Sequence, residues 1–381
     1  MKSGWVTKKL GEVCEIIMGA SPDSKSYNIM RDGLPFYQGK TEFGAEYPTP
    51  VKWCSEPVKI AQSGDVLLSV RAPIGPVNFA NEKCCIGRGL SALRFEGEQR
   101  YLYYFLQASE TELDARGTGT TFKCISGQSV RSVPIPIPPL AEQKRIVAKI
   151  DAAFEKIDKL KANAERNLAN AKELFQSALD EAMRPKDGWV EKRLGEVCKT
   201  TSGGTPIKSH REYYEDGNIP WLRSGEVCCK DIIKSEMFIT ELGLRNSSAK
   251  IMPKNTVLIA MYGATAAQAG ILRFESATNQ AICGILPDKY FEPEFLYYYF
   301  RTIQRQLAAR AQGGAQPNIS QEKIKDTLVP ILPLSEQREI VKHLDLLAEK
   351  IKILEQNYTK QIADCVEMRQ AVLREAFEGR L

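Results

Sequence analysis

No uninterrupted apolar run in this chain approaches the ~18 residues that a membrane-spanning helix needs. The opening residues, MKSGWVTKKLGEVC, also lack the apolar segment of a secretory signal. A cytoplasmic protein with no membrane contact is therefore expected. Histidine is nearly missing. Only His210 and His343 occur, the latter at a solvent-facing helical position, which leaves little material for imidazole catalysis or a metal centre. The ten cysteines include no C-x-x-C pair, which excludes the usual zinc and redox motifs and suggests reduced, mostly buried thiols. No Asn-Pro or Asp-Pro dipeptide occurs, so the loop with which adenine methyltransferases hold their target amino group is missing. Gly39-Lys40-Thr41 resembles the end of a phosphate-binding loop, but the glycine that motif needs at position 34 is Leu34. No nucleophile motif can be named. A protein without an active site of its own is expected, and an enzyme with an unrecognised site is the least favoured reading.

What the chain does contain is itself, twice. GWVTKKLGEVC at 4–14 returns as GWVEKRLGEVC at 188–198, matching at nine of eleven positions. PIPPLAEQKRIVAKID at 136–151 returns as PILPLSEQREIVKHLD at 330–345. The offset grows from 184 to 194, so the second globular part carries ten more residues. Between these anchors the match weakens, as in YLYYFL against FLYYYF. Like ends and unlike middles point to two whole domains with separately specified surfaces, since a period this long is not that of a solenoid. A chain of 381 residues also exceeds one ordinary core.

Short β-rich runs such as 66–70 and 257–261 alternate with Gly/Pro-rich turns and predict mixed strands with long loops. One helix should follow in each copy, over 101–116 and 294–310. From Leu140 and Leu334 the pattern becomes heptads. Ile146, Ala153, Leu160 and Leu174 alternate with Ile150, Ile157, Ala164, Ala171 and Ala178 in the first. Ile340, Leu347 and Leu354 alternate with Leu344, Ile351, Tyr358, Cys365 and Val372 in the second. Pro139 and Pro333 open these helices, and Glu142 and Glu336 suit the dipole of the first turn. Each should run about 44 residues, roughly 65 Å at 1.5 Å per residue. One apolar seam on so long a helix needs a partner, and an intramolecular antiparallel coiled coil is expected; a parallel pairing between two chains is the alternative. The reading is thus of α/β (α+β) domains at 1–139 and 185–333 and helices at 140–184 and 334–381. The formal charge of +5 lies wholly in the globular parts, at +2 and +3. Its sign suits phosphate, but its size alone decides nothing.

The order of these features, G-W-x-x-x-x-L-G-E-V opening a variable domain and P-I-x-x-P-L-x-E-Q-x-x-I-V opening a long helix, all repeated once, resembles the specificity subunits of type I restriction-modification systems over essentially the whole chain. That resemblance implies two target-recognition domains, each reading half of an interrupted double-stranded DNA site, with paired helices that space them. It further implies two methyltransferase subunits docked on the helices and binding S-adenosylmethionine, and a restriction-translocation subunit using ATP and Mg. None of these cofactors is expected in this chain. The competing reading is a scaffold that carries two domains on a coiled coil without touching DNA.

Candidate DNA contacts rest on side-chain chemistry and loop position. In the first domain these are Lys40, Arg71, Arg88 between two glycines, and Lys123. Arginine matches a guanine edge bidentately and lysine suits phosphate. In the second they are Arg223, Tyr262, Asn279, Gln280, Gln316 and Asn318, suited to adenine edges and stacking. Each has a structural alternative: a local ion pair for Arg71, a turn cap for Asn279, a half-buried ring for Tyr262. The aromatic runs at 101–105 and 297–300 fall at helical spacing and are read as core.

Overall fold

The computed structural model describes residues 4–119, 123–309 and 318–381. It divides into two compact units, residues 1–166 with 358–381, and residues 167–357.

In the first unit the two repeated motifs meet. Strand Val6–Lys9 pairs antiparallel with Pro134–Ile137, so the beginning and end of the globular part close on each other. Leu10, fully buried, follows at once, and the Glu12 carboxylate accepts the Lys9 N–H at 2.8 Å. An antiparallel four-stranded sheet runs in the order Cys14–Met18, Leu90–Phe95, Val66–Ser69, Val77–Phe79. A second, five-stranded sheet runs Tyr27–Asn28, Trp53–Cys54, Leu34–Tyr37, Cys84–Ile86, Ile60–Ala61. Its pairing of Leu34–Tyr37 with Cys84–Ile86 is parallel. The second unit repeats the plan. Val190–Arg193 pairs with Leu328–Ile331, and Ile219–Leu222 runs parallel to Ser276–Thr278.

The single helix expected after the strands is two in each unit: Gln99–Ala108 then Glu110–Ala115, and Pro293–Thr302 then Gln304–Ala309. Ser109 and Ile303 leave helical geometry at ψ near zero (6° and 5°), and the next helix starts directly after them. Arg310, the expected end of the second, lies outside the described residues. The aromatic runs are core: Tyr101, Tyr103, Tyr104, Phe105, Tyr297, Tyr298 and Phe300 are buried.

The long helices span Leu140–Ala182 and Leu334–Phe377. In the first unit Arg145 reaches the Leu381 carbonyl at 2.7 Å and Asp158 pairs with Arg369 at 2.6 Å, so rising numbers on one helix meet falling numbers on the other. The pairing is antiparallel. Ile146, Ile150, Phe154 and Ile157 share a core with Cys365 and Leu373 there. In the second unit Ala171, Phe175 and Leu179 share one with Leu344 and Ile351. The heptad reading erred at three positions: Leu160 and Leu174 are each 55% exposed and Leu354 is exposed too. Phe154, Phe175 and Leu179 carry the seam instead, because each helix packs on its globular domain as well as on its partner, which widens the apolar stripe beyond strict heptad sites.

Two buried glutamines explain the E-Q of the helix-opening motif. Gln143, 3% exposed, accepts the Glu98 N–H at 2.9 Å and donates to the Pro138 carbonyl at 2.9 Å. Gln337, fully buried, accepts the Glu292 N–H at 2.9 Å and donates to the carbonyls of Tyr290 at 2.7 Å and Leu332 at 3.0 Å. Each long helix is pinned again about two turns on by a repeated pair. Tyr104 donates to Asp151, which also holds Arg100 at 3.1 Å. Tyr298 donates to Asp345 at 2.5 Å, which also holds Lys230. Burial, then the carboxylate, pushes both phenols well above their ordinary range, so they stay donors. Tyr298→Phe removes a hydrogen bond to a charged acceptor and should cost about 1.5–3 kcal/mol. A thermal melt checks this, and an unchanged midpoint would show that the ring packing alone anchors the helix.

Candidate nucleic-acid interface

In the first unit the chain segments that leave four strands converge. The Gly19 N–H donates to the Leu90 carbonyl at 2.9 Å and the Ala20 N–H to Ile86 at 3.2 Å. Gly87 N–H reaches Tyr37 at 2.8 Å, Gly89 N–H reaches Gln38 at 3.2 Å, and Val70 N–H reaches Gly89 at 2.9 Å. Ala72 N–H to Lys123 and Ile125 N–H to Val70, both 3.0 Å, tie in the fifth segment. Loops carrying Ser21, Gln38, Lys40, Arg71, Arg88 and Lys123 are thus laced into one surface by their backbones. The approach is close enough that a Cβ on Gly19 would lie 2.1 Å from the Gly87 carbonyl oxygen. Only glycine fits there.

The second unit reproduces this lattice. Gly203 N–H donates to Ile282 at 3.4 Å, Gly204 to Thr278 at 2.9 Å, Asn279 to Leu222 at 2.8 Å, Met261 to Ala281 at 2.8 Å, and Ile319 to Met261 at 2.9 Å. A Cβ on Gly203 would meet the Thr278 carbonyl oxygen at 2.1 Å.

The side chains on the two lattices differ. In the first, Lys40, Arg71 and Arg88 are exposed, and no ion pair holds them among the described residues. Arg88 stands up between buried Gly87 and Gly89. Its charge reaches Tyr27, where it opposes the burial that raises that phenol. Beside it the Ser21 hydroxyl accepts from the Gln38 amide at 3.0 Å. The Glu42 carboxylate is occupied by the Gly39 N–H at 3.2 Å. Lys123 is different, being paired with Asp114 at 2.6 Å, so its charge is already answered.

In the second unit Gln280 is exposed and its amide oxygen accepts from the Thr205 hydroxyl. Asn279 turns its side-chain oxygen back to the Ala281 N–H at 3.2 Å and caps the turn. Arg223 is tied to Glu236 at 2.7 Å, while Glu226 accepts the N–H groups of Arg223 at 2.7 Å and Glu236 at 2.9 Å. Tyr262 is 37% exposed, and its backbone bridges to that of exposed Asn318. Gln316 lies outside the described residues. The first surface thus offers free cations and the second neutral amide and phenol groups.

Ser21, Gln38 and Thr205 were not among the residues picked from the sequence. A signal for two of them was readable: Gly-Ala-Ser-Pro at 19–22 returns as Gly-Gly-Thr-Pro at 203–206 within the otherwise divergent middles. Gln38 had none, since only the lattice brings it beside Arg88. Among the described residues no cluster of three or more metal-ligating side chains occurs, and no helix is long and apolar enough to cross a membrane.

Comparison with known proteins agrees with this duplicated plan. Residues 2–168 and 186–363 each match the model of the type I restriction modification DNA specificity domain. A putative type I restriction enzyme MjaX specificity subunit of Methanocaldococcus jannaschii is 39% identical over 46% of this chain; the match spans 42% of that relative, less than two thirds of its length. The MjaIX specificity subunit of the same organism is 26% identical over 99% of this chain and 93% of its own. Among solved structures, a chain from work on complex assembly and conformational transition of the type I R-M system aligns over 100% of this chain and 99% of its own, with a TM-score of 0.84 at 23% identity. The HsdS subunit from Thermoanaerobacter tengcongensis aligns over 100% and 98% with a TM-score of 0.63 at 22% identity. At those identities the structural likeness speaks for the fold.

Proposed function

The chain belongs to the type I restriction-modification DNA specificity family, with two such domains, and from that premise we propose that each loop lattice reads one half of a bipartite duplex site. The observation that carries the reading is the pairing of a repeated backbone lattice, five of whose bonds recur in both units, with different side chains. Two half-sites of different sequence demand that combination, because phosphate contacts set register while base edges are read by side chains. Arg88 and Arg71 suit guanine edges, and Lys40 suits phosphate. Gln280 suits adenine, with Tyr262 beside it for stacking. Lys123 and Arg223, already ion-paired, contribute to shaping their loops.

A specificity subunit works in a complex with modification and restriction subunits and DNA. In finer detail, two methyltransferase subunits dock on the long helices. Exposed Leu140, Leu160, Val366 and Met368 in the first unit, and Leu174, Leu346, Ile353 and Leu354 in the second, support this, being apolar side chains left over once the helix seam is filled. S-adenosylmethionine then belongs to those subunits, and ATP and Mg to the restriction subunit. This chain is non-catalytic and cytoplasmic, and its helices set the spacing of the half-sites. The scaffold alternative draws no support from the family match.

Arg88→Ala tests the reading. In the assembled complex it should weaken specific binding by ~1–3 kcal/mol, with the loss confined to the first half-site and the salt dependence little changed. An unchanged specificity profile with a lower melting temperature would assign Arg88 to structure.

A further inference from the structure

Seven of the ten cysteines are buried and Cys124 is partly so; the two exposed thiols are neighbours, Cys228 and Cys229. They lie in the second unit between the turn Ser224–Glu226 and the strand Asp231–Ile232. The pair separates two surface clefts. One, of about 600 Å³, is lined by Arg223, Glu226, both cysteines and Glu236. The other, of about 420 Å³, is lined by both cysteines, Gln268, Tyr297 and Arg301. The sulfurs are therefore reachable from either side. Cys229 Sγ donates to the Asp231 carbonyl at 3.3 Å. Burial, and then its neighbour Cys228, raise its thiol above the ordinary range. With the Cys229 sulfur engaged at that carbonyl, Cys228, which makes no such bond among the described residues, is the thiol that opens an exchange. The corresponding stretch of the first unit, residues 39–44, has no cysteine.

We propose that Cys228 and Cys229 form a modification site that reacts with low-molecular-weight disulfides of the glutathione class, reducing them to thiols while the two cysteines become a disulfide between adjacent residues. The Cys228 thiolate attacks one sulfur of the small disulfide; that S–S bond breaks, and the first small thiol leaves with the electron pair and takes up a proton. Cys229 then gives its proton to water and attacks Cys228 Sγ, and the mixed bond breaks to release the second small thiol. Two protein thiols have lost two electrons, and the small disulfide has become two thiols.

Closure draws the two sulfurs to a bond of ~2.05 Å and puts both residues in an eight-membered ring, which bends the connection. Its near end carries Glu226, whose carboxylate holds the N–H groups of Arg223 and Glu236. The bend is thereby passed to the candidate DNA-facing loop of the second domain. This last step rests on the proposed function; the sulfur chemistry does not.

The intact chain, treated with oxidised glutathione, should lose two hydrogens from the peptide holding residues 228 and 229 in mass-spectrometric mapping. C229S should instead retain one glutathione adduct on Cys228, and C228S, which lacks the attacking thiol, should take up glutathione far more slowly. Stable adducts on both cysteines of the unaltered chain, or no reaction there while other cysteines react, overturn the site. The oxidised complex should bind its cognate duplex about tenfold more weakly. Its discrimination at the first half-site should be unchanged, and reductant should reverse the loss. The C228S/C229S double variant should show no such loss. A disulfide that forms without altering affinity, or an equal loss in the double variant, overturns the coupling to the loop. A reduced complex that binds no DNA overturns the DNA-reading proposal, with the mass shift still deciding the thiol site.

Discussion

Exchanging residues 1–139 for the same region of a relative with a different target should replace one half of the methylated sequence and leave the other half, base for base, as it was. The expectation follows from the laced loops. Every backbone bond that shapes the first candidate surface joins residues between Gly19 and Ile125, and all of them travel with the exchanged segment. The second surface is built between Gly203 and Ile319 and stays behind. The exchange has structural conditions where contacts cross its boundary: Asp151 must still meet the counterparts of Tyr104 and Arg100. Gln143, outside the segment, must still find the counterparts of the Glu98 N–H and the Pro138 carbonyl inside it, so the donor should carry the same P-L-x-E-Q opening. Sequencing methylated adenines in a host carrying the chimera reads the outcome. A simultaneous change of both half-sites would end the two-reader model. A chimera that melts normally yet methylates nothing would point to a lost docking surface.

The other large effect is on stability. Gln337→Leu should lower the stability of the second unit by about 3 kcal/mol, because the Leu332 carbonyl is left buried with no partner and the part-buried Glu292 N–H and Tyr290 carbonyl lose theirs, at ~1–3 kcal/mol each. For a unit of this size that is a fall of roughly 10 °C in its melting transition. Gln143→Leu orphans two groups and should do less. Calorimetry of both variants orders them. Equal and small shifts would mean that water enters to satisfy the groups, and the motif would need another explanation. Neither substitution touches a candidate DNA contact, so binding at temperatures well below the transition should survive.

The two motifs that identified the repeat are therefore not where DNA is proposed to be met. Trp189 of the opening motif donates to Glu336 of the helix motif at 3.0 Å, and the strands that carry the motifs pair. These residues recur in both halves because the same seam must be closed twice. Arg88 was legible as a candidate from its flanking glycines and Asn279 as a turn cap, since both readings depend on chain neighbours. Lys123 and Arg223 looked equivalent to Arg88 in sequence, yet Asp114 and Glu236 answer their charges. Nothing in the local sequence announces which acidic side chain will fold back within reach.

By itself the sequence determined the duplication, the two long helices with their proline starts, the buried aromatic faces and the absence of a motif for catalysis. All of these are written in repeats, periodicity or residue supply, which depend on neighbours along the chain. Only the tertiary structure decided that Leu160 and Leu174 face outward while Phe154 and Phe175 fill the seam, and that the aromatic helix breaks at Ser109 and Ile303. It alone set Ser21, Gln38 and Arg88 side by side. The physical reason is the same in each case. A helix packed against both a partner helix and a globular domain buries whichever residues the two surfaces cover. Likewise, backbone bonds between residues far apart in the chain, such as Gly19 to Leu90 at 71 positions and Gly203 to Ile282 at 79, exist only once the sheets have formed.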